Sequence, residues 1–172
     1  MIMAQKRTIK NKKGPADTGF VLDDYVLYNL VRASSVYNAE MAAALKSFGL
    51  TTMEWRILML LFDKSPSSVG DLARRSVTKM PTVTRMLIRM EEDGLVKRTT
   101  LAGDRRFVEV TMTPKAVKAL RQVQEIGQRV YERAFEGVTG AEVKAMTDIL
   151  KRVRNNLQRS PYVDVPEKAR AS

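Results

Sequence analysis

Residues 67–114, SSVGDLARRSVTKMPTVTRMLIRMEEDGLVKRTTLAGDRRFVEVTMTP, decide the fold. Ser68 and Asp71 form a capping pair for a short helix holding Val69, Leu72 and Ala73, and Ser76, Val77 and Thr78 make the turn after it. A second helix follows. Thr78 is its expected cap, and Pro81 fits its first turn, where a missing amide hydrogen costs little. Val83, Met86, Leu87 and Met90 supply a buried stripe, and Gly94 ends the helix. Residues 95–100 and 107–112 then read as two strands around a tip at 101–106. Helix, turn, helix and hairpin together predict a winged helix, whose second helix can lie in the major groove of DNA while the hairpin reaches backbone or minor groove.

The flanks read as helices. Over 23–48, Leu27, Leu30, Val31, Tyr37, Met41, Leu45 and Phe48 recur three or four apart, with two acids at the start and Gly49 at the end. Thr51 and Glu54 form a capping box for a helix through Trp55, Leu58, Leu61 and Phe62, which Ser65, Pro66 and Ser67 break. Thr113 and Pro114 start a long helix that Gly137 closes, and Thr139 with Glu142 caps a last one. On that last helix Val143, Met146, Leu150, Val153 and Leu157 form an apolar seam. The expected organisation is mainly α: a basic, mobile arm at 1–22, a first dimerisation helix at 23–48, a winged helix-turn-helix at 49–112, C-terminal dimerisation helices at 113–160 and an irregular tail at 161–172. The arm is either a solubilising tail or a DNA contact.

Thirty Lys and Arg against nineteen Asp and Glu leave a formal charge of +11, which favours a polyanionic partner, nucleic acid before anionic membrane. With 172 residues, 44% of them hydrophobic, the chain can build the core of one domain. It has no cysteine and no histidine, which excludes thiol redox sensing, disulfides and thiolate metal sites. No nucleophile elbow, phosphate-binding glycine loop or HExxH pattern occurs, so neither an enzyme nor a cofactor or metal is expected. The longest apolar run, 57–62, is too short to span a bilayer, and no hydrophobic signal segment follows the first charges. A cytoplasmic protein without membrane attachment is the expectation.

A recognition helix needs short hydroxyls near its start and arginines further along, because hydroxyls reach phosphates and base edges closely while arginine pairs bidentately with guanine. Thr78, Lys79, Thr82, Thr84, Arg85 and Arg89 meet that need. Between Asp71 and Arg106 stand nine basic residues against five acidic ones, and the acids cluster away from the helix start. Beyond Gly103 the wing offers Arg105 and Arg106, with Asp104 either orienting Arg106 or serving the hairpin turn. An alternative from the same charge is a nonspecific basic nucleic-acid-binding or architectural protein, which predicts no sequence preference.

Three stretches carry a resemblance: LTTMEWRILMLL at 50–61, DLARRSVTKMPTVTRMLIRMEEDGLVKR at 71–98, and Asp104 to Arg106 ahead of a strand and Thr113-Pro114. Over residues 23–158 the chain resembles the multiple antibiotic resistance regulator (MarR) family of bacterial transcription factors. The resemblance implies a homodimer in which the first helix and the last two pair across a two-fold axis. The unmatched apolar seams point the same way, an intramolecular helical layer being the alternative. It further implies a double-stranded DNA operator that is pseudo-palindromic, with half-sites about 34 Å apart, and repression as the leading mode. Small aromatic or phenolic effectors release members of the family from DNA. For such an effector Tyr37, Met41, Trp55 and Met59 offer an aromatic and sulfur-rich surface, with Arg32 or Arg56 for an anionic group; plain core packing is the alternative. Absence of cysteine argues against the peroxide-sensing branch. Lys79 and Pro81 depart from the family, whose members more often carry a capping acid and a serine there.

Overall fold

The computed structural model of the chain describes residues 14–100 and 108–158. The basic arm to residue 13, the wing tip with Asp104, Arg105 and Arg106, and the tail from residue 159 lie outside the described residues. The described residues form two compact units, one ending at Val130 and one beginning at Tyr131.

The first unit starts with a single 3-10 turn, Leu22–Asp24, followed by α1, Val26–Lys46. The continuous helix expected from residue 23 is interrupted because Tyr25 is extended, at ψ 112°, so Asp23 and Asp24 serve the turn and not the start of α1. Ahead of it Phe20 stands edge-on to Tyr25, with ring centroids 5.5 Å apart. Helix α2, Thr52–Asp63, opens on the reciprocal capping box expected from Thr51 and Glu54. Helix α3, Val69–Ser76, is capped by Ser68, whose hydroxyl accepts the Asp71 amide at 3.1 Å. The Asp71 carboxylate does not complete a box; it pairs with Arg74 one turn on.

Helix α4, Met80–Glu92, begins differently from expectation. Lys79 holds the N-cap position with no side-chain hydrogen bond, and Thr78 turns its hydroxyl back to the Ser76 carbonyl at 3.2 Å. The dihedral angles explain the shift. Val77 occupies the left-handed region, at φ 55°, which reverses the chain one residue before Thr78 and leaves Lys79 as the last extended residue. Pro81 lies in the first turn, as expected.

The wing is an antiparallel pair, β2 (Val96–Thr100) and β3 (Val108–Met112), with Val96 opposite Met112 and Thr100 opposite Val108. On the other side of β3 lies a short strand that sequence periodicity did not announce, β1 (Ser67–Ser68), antiparallel to it. Helix α5, Pro114–Ala134, is anchored at its start by Thr113. The Thr113 hydroxyl accepts the Ala116 amide at 3.2 Å and donates to the Gly94 carbonyl at 2.7 Å, tying the start of α5 to the end of α4.

Burial then follows the helical spacing. Val83, Leu87 and Met90 of α4 join Ile57, Leu58 and Leu61 of α2, Leu72 of α3, Val96 and Val110 of the wing and Leu120 and Val123 of α5 in one core. Met41 and Leu45 bring α1 into it. The second unit holds the last turn of α5 and α6, Gly140–Leu157, which starts on the capping box of Thr139 and Glu142. Among its residues Tyr131 and Phe135 pack as a tilted ring pair, centroids 4.8 Å apart.

Candidate nucleic-acid interface and ligand cleft

With Val83, Leu87 and Met90 facing the core, the geometry of α4 sends Pro81, Arg85 and Ile88 outward, away from the body. Lys79, Thr82 and Arg85 are exposed, and neither Lys79 nor Arg85 has an ion-pair partner among the described residues. The other expected contacts are already engaged within the chain. Thr84 is half-buried and donates its hydroxyl to the Met80 carbonyl at 2.9 Å. Thr78 sits half-buried in the turn, near the Met53 sulfur. Arg89 reaches the buried carboxylate of Glu54 at 3.2 Å.

The nine basic residues of this segment are therefore not equivalent. Arg74 pairs with Asp71, Arg75 with Asp63, and Arg98 with Glu91 through its amide at 2.7 Å and its guanidinium at 2.8 Å. Those bonds from Arg98, backbone first and side chain second, hold the Glu91 carboxyl below the usual carboxylate range. A guanidinium bound to a carboxylate has less charge to offer a phosphate. Among the described basic residues of this segment, those without an ion-pair partner are Lys79, Arg85 and Lys97.

Glu54 is the member of this region that sequence reading treated only as a cap. Burial pushes its carboxyl up, but the Thr51 amide at 2.8 Å, the Thr51 hydroxyl at 2.9 Å and the Arg89 guanidinium outweigh that and keep it below the ordinary value. The only signal in the sequence is the capping box itself. Its second partner lies thirty-five positions away.

Between α1 and α2 lies a cleft of about 260 Å³ lined by Tyr37, Asn38, Met41, Thr52, Trp55, Arg56 and Met59. Five of the six residues expected at a ligand site meet there. Met41 and Trp55 belong equally to the core, so the floor of the cleft is the outer surface of that core. Arg32 is the exception: it lies 5.3 Å over the Tyr28 ring and 3.8 Å from Asp23, and it does not line the cleft. Helical spacing explains the difference, because Tyr37 and Met41 lie four apart on one face whereas Arg32 points around the helix from both. Asn38 and Thr52 are the lining residues that the sequence did not suggest.

The expected seam of α6 is placed on the surface of its unit. Val143 and Val153 are half-buried, Met146, Leu150 and Leu157 are exposed, and α6 contributes no buried residue. No helix among the described residues is long and apolar enough to cross a membrane.

Comparison with known proteins gives this arrangement its family. Residues 50–108 match the MarR family. Over 144 residues, 84% of this chain and 86% of the relative, the sequence is 31% identical to the HTH-type transcriptional repressor IacR of Pseudomonas putida. The chain belongs to the MarR family. The structure of a MarR family transcriptional regulator from Silicibacter pomeroyi matches it with a TM-score of 0.74 at 27% identity, covering 82% of this chain and 95% of that one. Bordetella bronchiseptica BpsR, solved in a study of the regulation of its DNA binding by 6-hydroxynicotinic acid, shares the fold with a TM-score of 0.69 at 22% identity, covering 78% and 96%. This MarR family member is a DNA-binding transcriptional regulator and not an enzyme.

Proposed function

We propose that this MarR family protein is a repressor that binds a pseudo-palindromic operator in double-stranded DNA as a homodimer and leaves it when a small aromatic ligand occupies the cleft between α1 and α2. One observation carries the reading: Lys79 at the N-cap of α4 and Arg85 on its outward face stand exposed with no carboxylate partner among the described residues, while the inward face is locked into the core. An arginine so placed can pair bidentately with guanine in a major groove. Thr82 lies beside it for a phosphate or base edge. Beyond the described residues, Arg105 and Arg106 of the wing would contact the backbone or minor groove. Arg89 acts through its pair with Glu54, and Thr78 and Thr84 contribute fewer free hydroxyl protons than their residue type suggests.

Homodimerisation rests on the exposed seam of α6, which an identical surface can cover across a two-fold axis. Two copies of α4 then read half-sites about one helical turn, roughly 34 Å, apart. The ligand reading rests on the cleft: an apolar floor of Met41 and Trp55, with Arg56, Asn38 and Thr52 at its edges, suits an aromatic ring bearing an anionic or hydroxyl group. Release requires that the ligand favour a dimer whose two recognition helices are wrongly spaced for DNA; affinity without that difference changes nothing. IacR is named a repressor, and the DNA binding of BpsR is regulated by a small aromatic acid; both support the assignment. The site of action is the cytoplasm.

The test is selection of bound duplexes from a random pool at physiological salt, followed by titration of Arg85→Ala and Arg106→Ala on the recovered sequence. A two-fold symmetric consensus is expected. Arg85→Ala should cost about 1–3 kcal/mol and relax base preference, whereas Arg106→Ala should lower affinity on all sequences and flatten the salt dependence. Tight, salt-sensitive binding with no consensus would overturn operator recognition in favour of nonspecific coating.

A further inference from the structure

The outward face of α4 is divided lengthwise. At about 100° per residue, Thr82, Arg85 and Arg89 run along one flank, and Met80, Thr84 and Ile88, each four residues from the next, run along the other. The second flank is apolar. Met80 is 56% and Ile88 39% exposed, and the Thr84 hydroxyl between them has given its proton to the Met80 carbonyl. Pro81, beside them on the outward face, has no amide hydrogen to donate. From Met80 to Ile88 this flank has no free side-chain donor for a phosphate or for the acceptor edge of a purine; beyond Ile88 it ends at Glu91, whose carboxylate is taken by Arg98.

Scattered exposed apolar residues are ordinary on a protein surface. These are not scattered: they form one line, on the helix proposed to enter DNA, beside Arg85, in a chain of net charge +11. The major groove offers such a line one apolar partner, the C5-methyl group of thymine. The apolar flank belongs to the same rigid helix as Arg85, so its position relative to an arginine-read base is set by the helix itself.

We infer that Met80, Thr84 and Ile88 form a thymine-reading strip, which places thymines beside the base recognised by Arg85 in each half-site. The inference rests on the operator reading above and adds the chemical basis of its sequence preference. The polar flank discriminates by hydrogen bonds, and the apolar flank by contact with a methyl group that cytosine lacks at the same ring position.

The experiment uses the full-length protein and the duplex recovered by selection. Each thymine of one half-site is replaced in turn by deoxyuridine, which keeps base pairing and removes only the methyl group. Affinity is expected to fall about fourfold at one or more positions, the effect of withdrawing one methyl from an apolar contact. Ile88→Ala and Met80→Ala, checked for unchanged thermal unfolding, should each lose the distinction between thymine and uracil at the position they contact. A consensus bound equally well with uracil at every position, or half-sites without thymine, overturns the strip and leaves the operator reading intact. Variants that keep the full distinction at every position overturn it as well, assigning the effect to DNA shape. Absence of any consensus removes the operator reading and the strip together.

Discussion

Val77 joins α3 to α4 in the left-handed region, at φ 55° and ψ 44°, and it is 90% exposed. A β-branched side chain there is strained, because its Cβ crowds the following carbonyl. Its exposure means that no burial offsets the cost. Val77→Gly is therefore expected to stabilise the protein by about 1 kcal/mol, read as a higher urea midpoint with an unchanged slope. A lower midpoint would mean that the Val77 side chain makes a contact the free chain depends on. At this scale sequence reading placed the turn correctly but chose the wrong cap. Thr78 has the right chemistry, yet the left-handed residue before it moves the cap to Lys79, and a backbone dihedral is not written in the side chain.

Among the elements, the link between α2 and α4 is the one with the clearest consequence. Glu54 caps α2 and holds Arg89 of α4 at 3.2 Å, and it lies two residues before Arg56, which lines the cleft between α1 and α2. Its carboxyl titrates below the unfolded value of 4.5, so the charged form stabilises the fold above that pH, and the contribution fades as pH falls through the lowered value. Glu54→Gln, which keeps size and removes charge, should cost about 1 kcal/mol near neutral pH. The gap between the two proteins should close in acid. Denaturation curves at neutral pH and at successively lower pH through the acid range check this; a gap independent of pH would show that shape and not charge is at work. The capping box was readable because its partners are three residues apart, whereas the pair with Arg89 was not, because it depends on how two helices cross. β1 was invisible for another reason. Two residues cannot show alternation, and Ser67–Ser68 is a strand only because β3 lies beside it.

On the scale of the whole molecule, α6 carries an exposed apolar surface. Leu150 is 37% exposed in the centre of a seam that also holds Met146 and Val153. Leu150→Asp places a charge in the proposed two-fold contact and should convert dimers to monomers or aggregates. Sedimentation velocity reads the result directly, and a soluble dimer from that variant would move the interface elsewhere. The net charge of +11 belongs to this scale too, since it raises the rate of encounter with DNA without selecting a sequence.

The identity and order of the helices and of the strands of the wing were legible before any fold was known, because a period of 3.6 or 2 and a cap three residues from its partner are properties of contiguous residues. The family and the sign of the partner's charge were legible in the sequence too, and so were five of the seven residues that line the cleft between α1 and α2, but not Asn38 or Thr52. Tertiary structure decided which charges are available. Arg75, Arg89 and Arg98 look like Arg85 in the sequence, and only the folded positions of Asp63, Glu54 and Glu91 separate them, whereas Arg74 has Asp71 three residues away on its own helix. It likewise placed Arg32 against Tyr28 and Asp23 and left Met80 and Ile88 exposed on either side of a half-buried Thr84. The reason is range: hydrophobic periodicity is encoded within a few residues, but an ion pair is a distance between elements, and that distance exists only after the core has set the helices against one another.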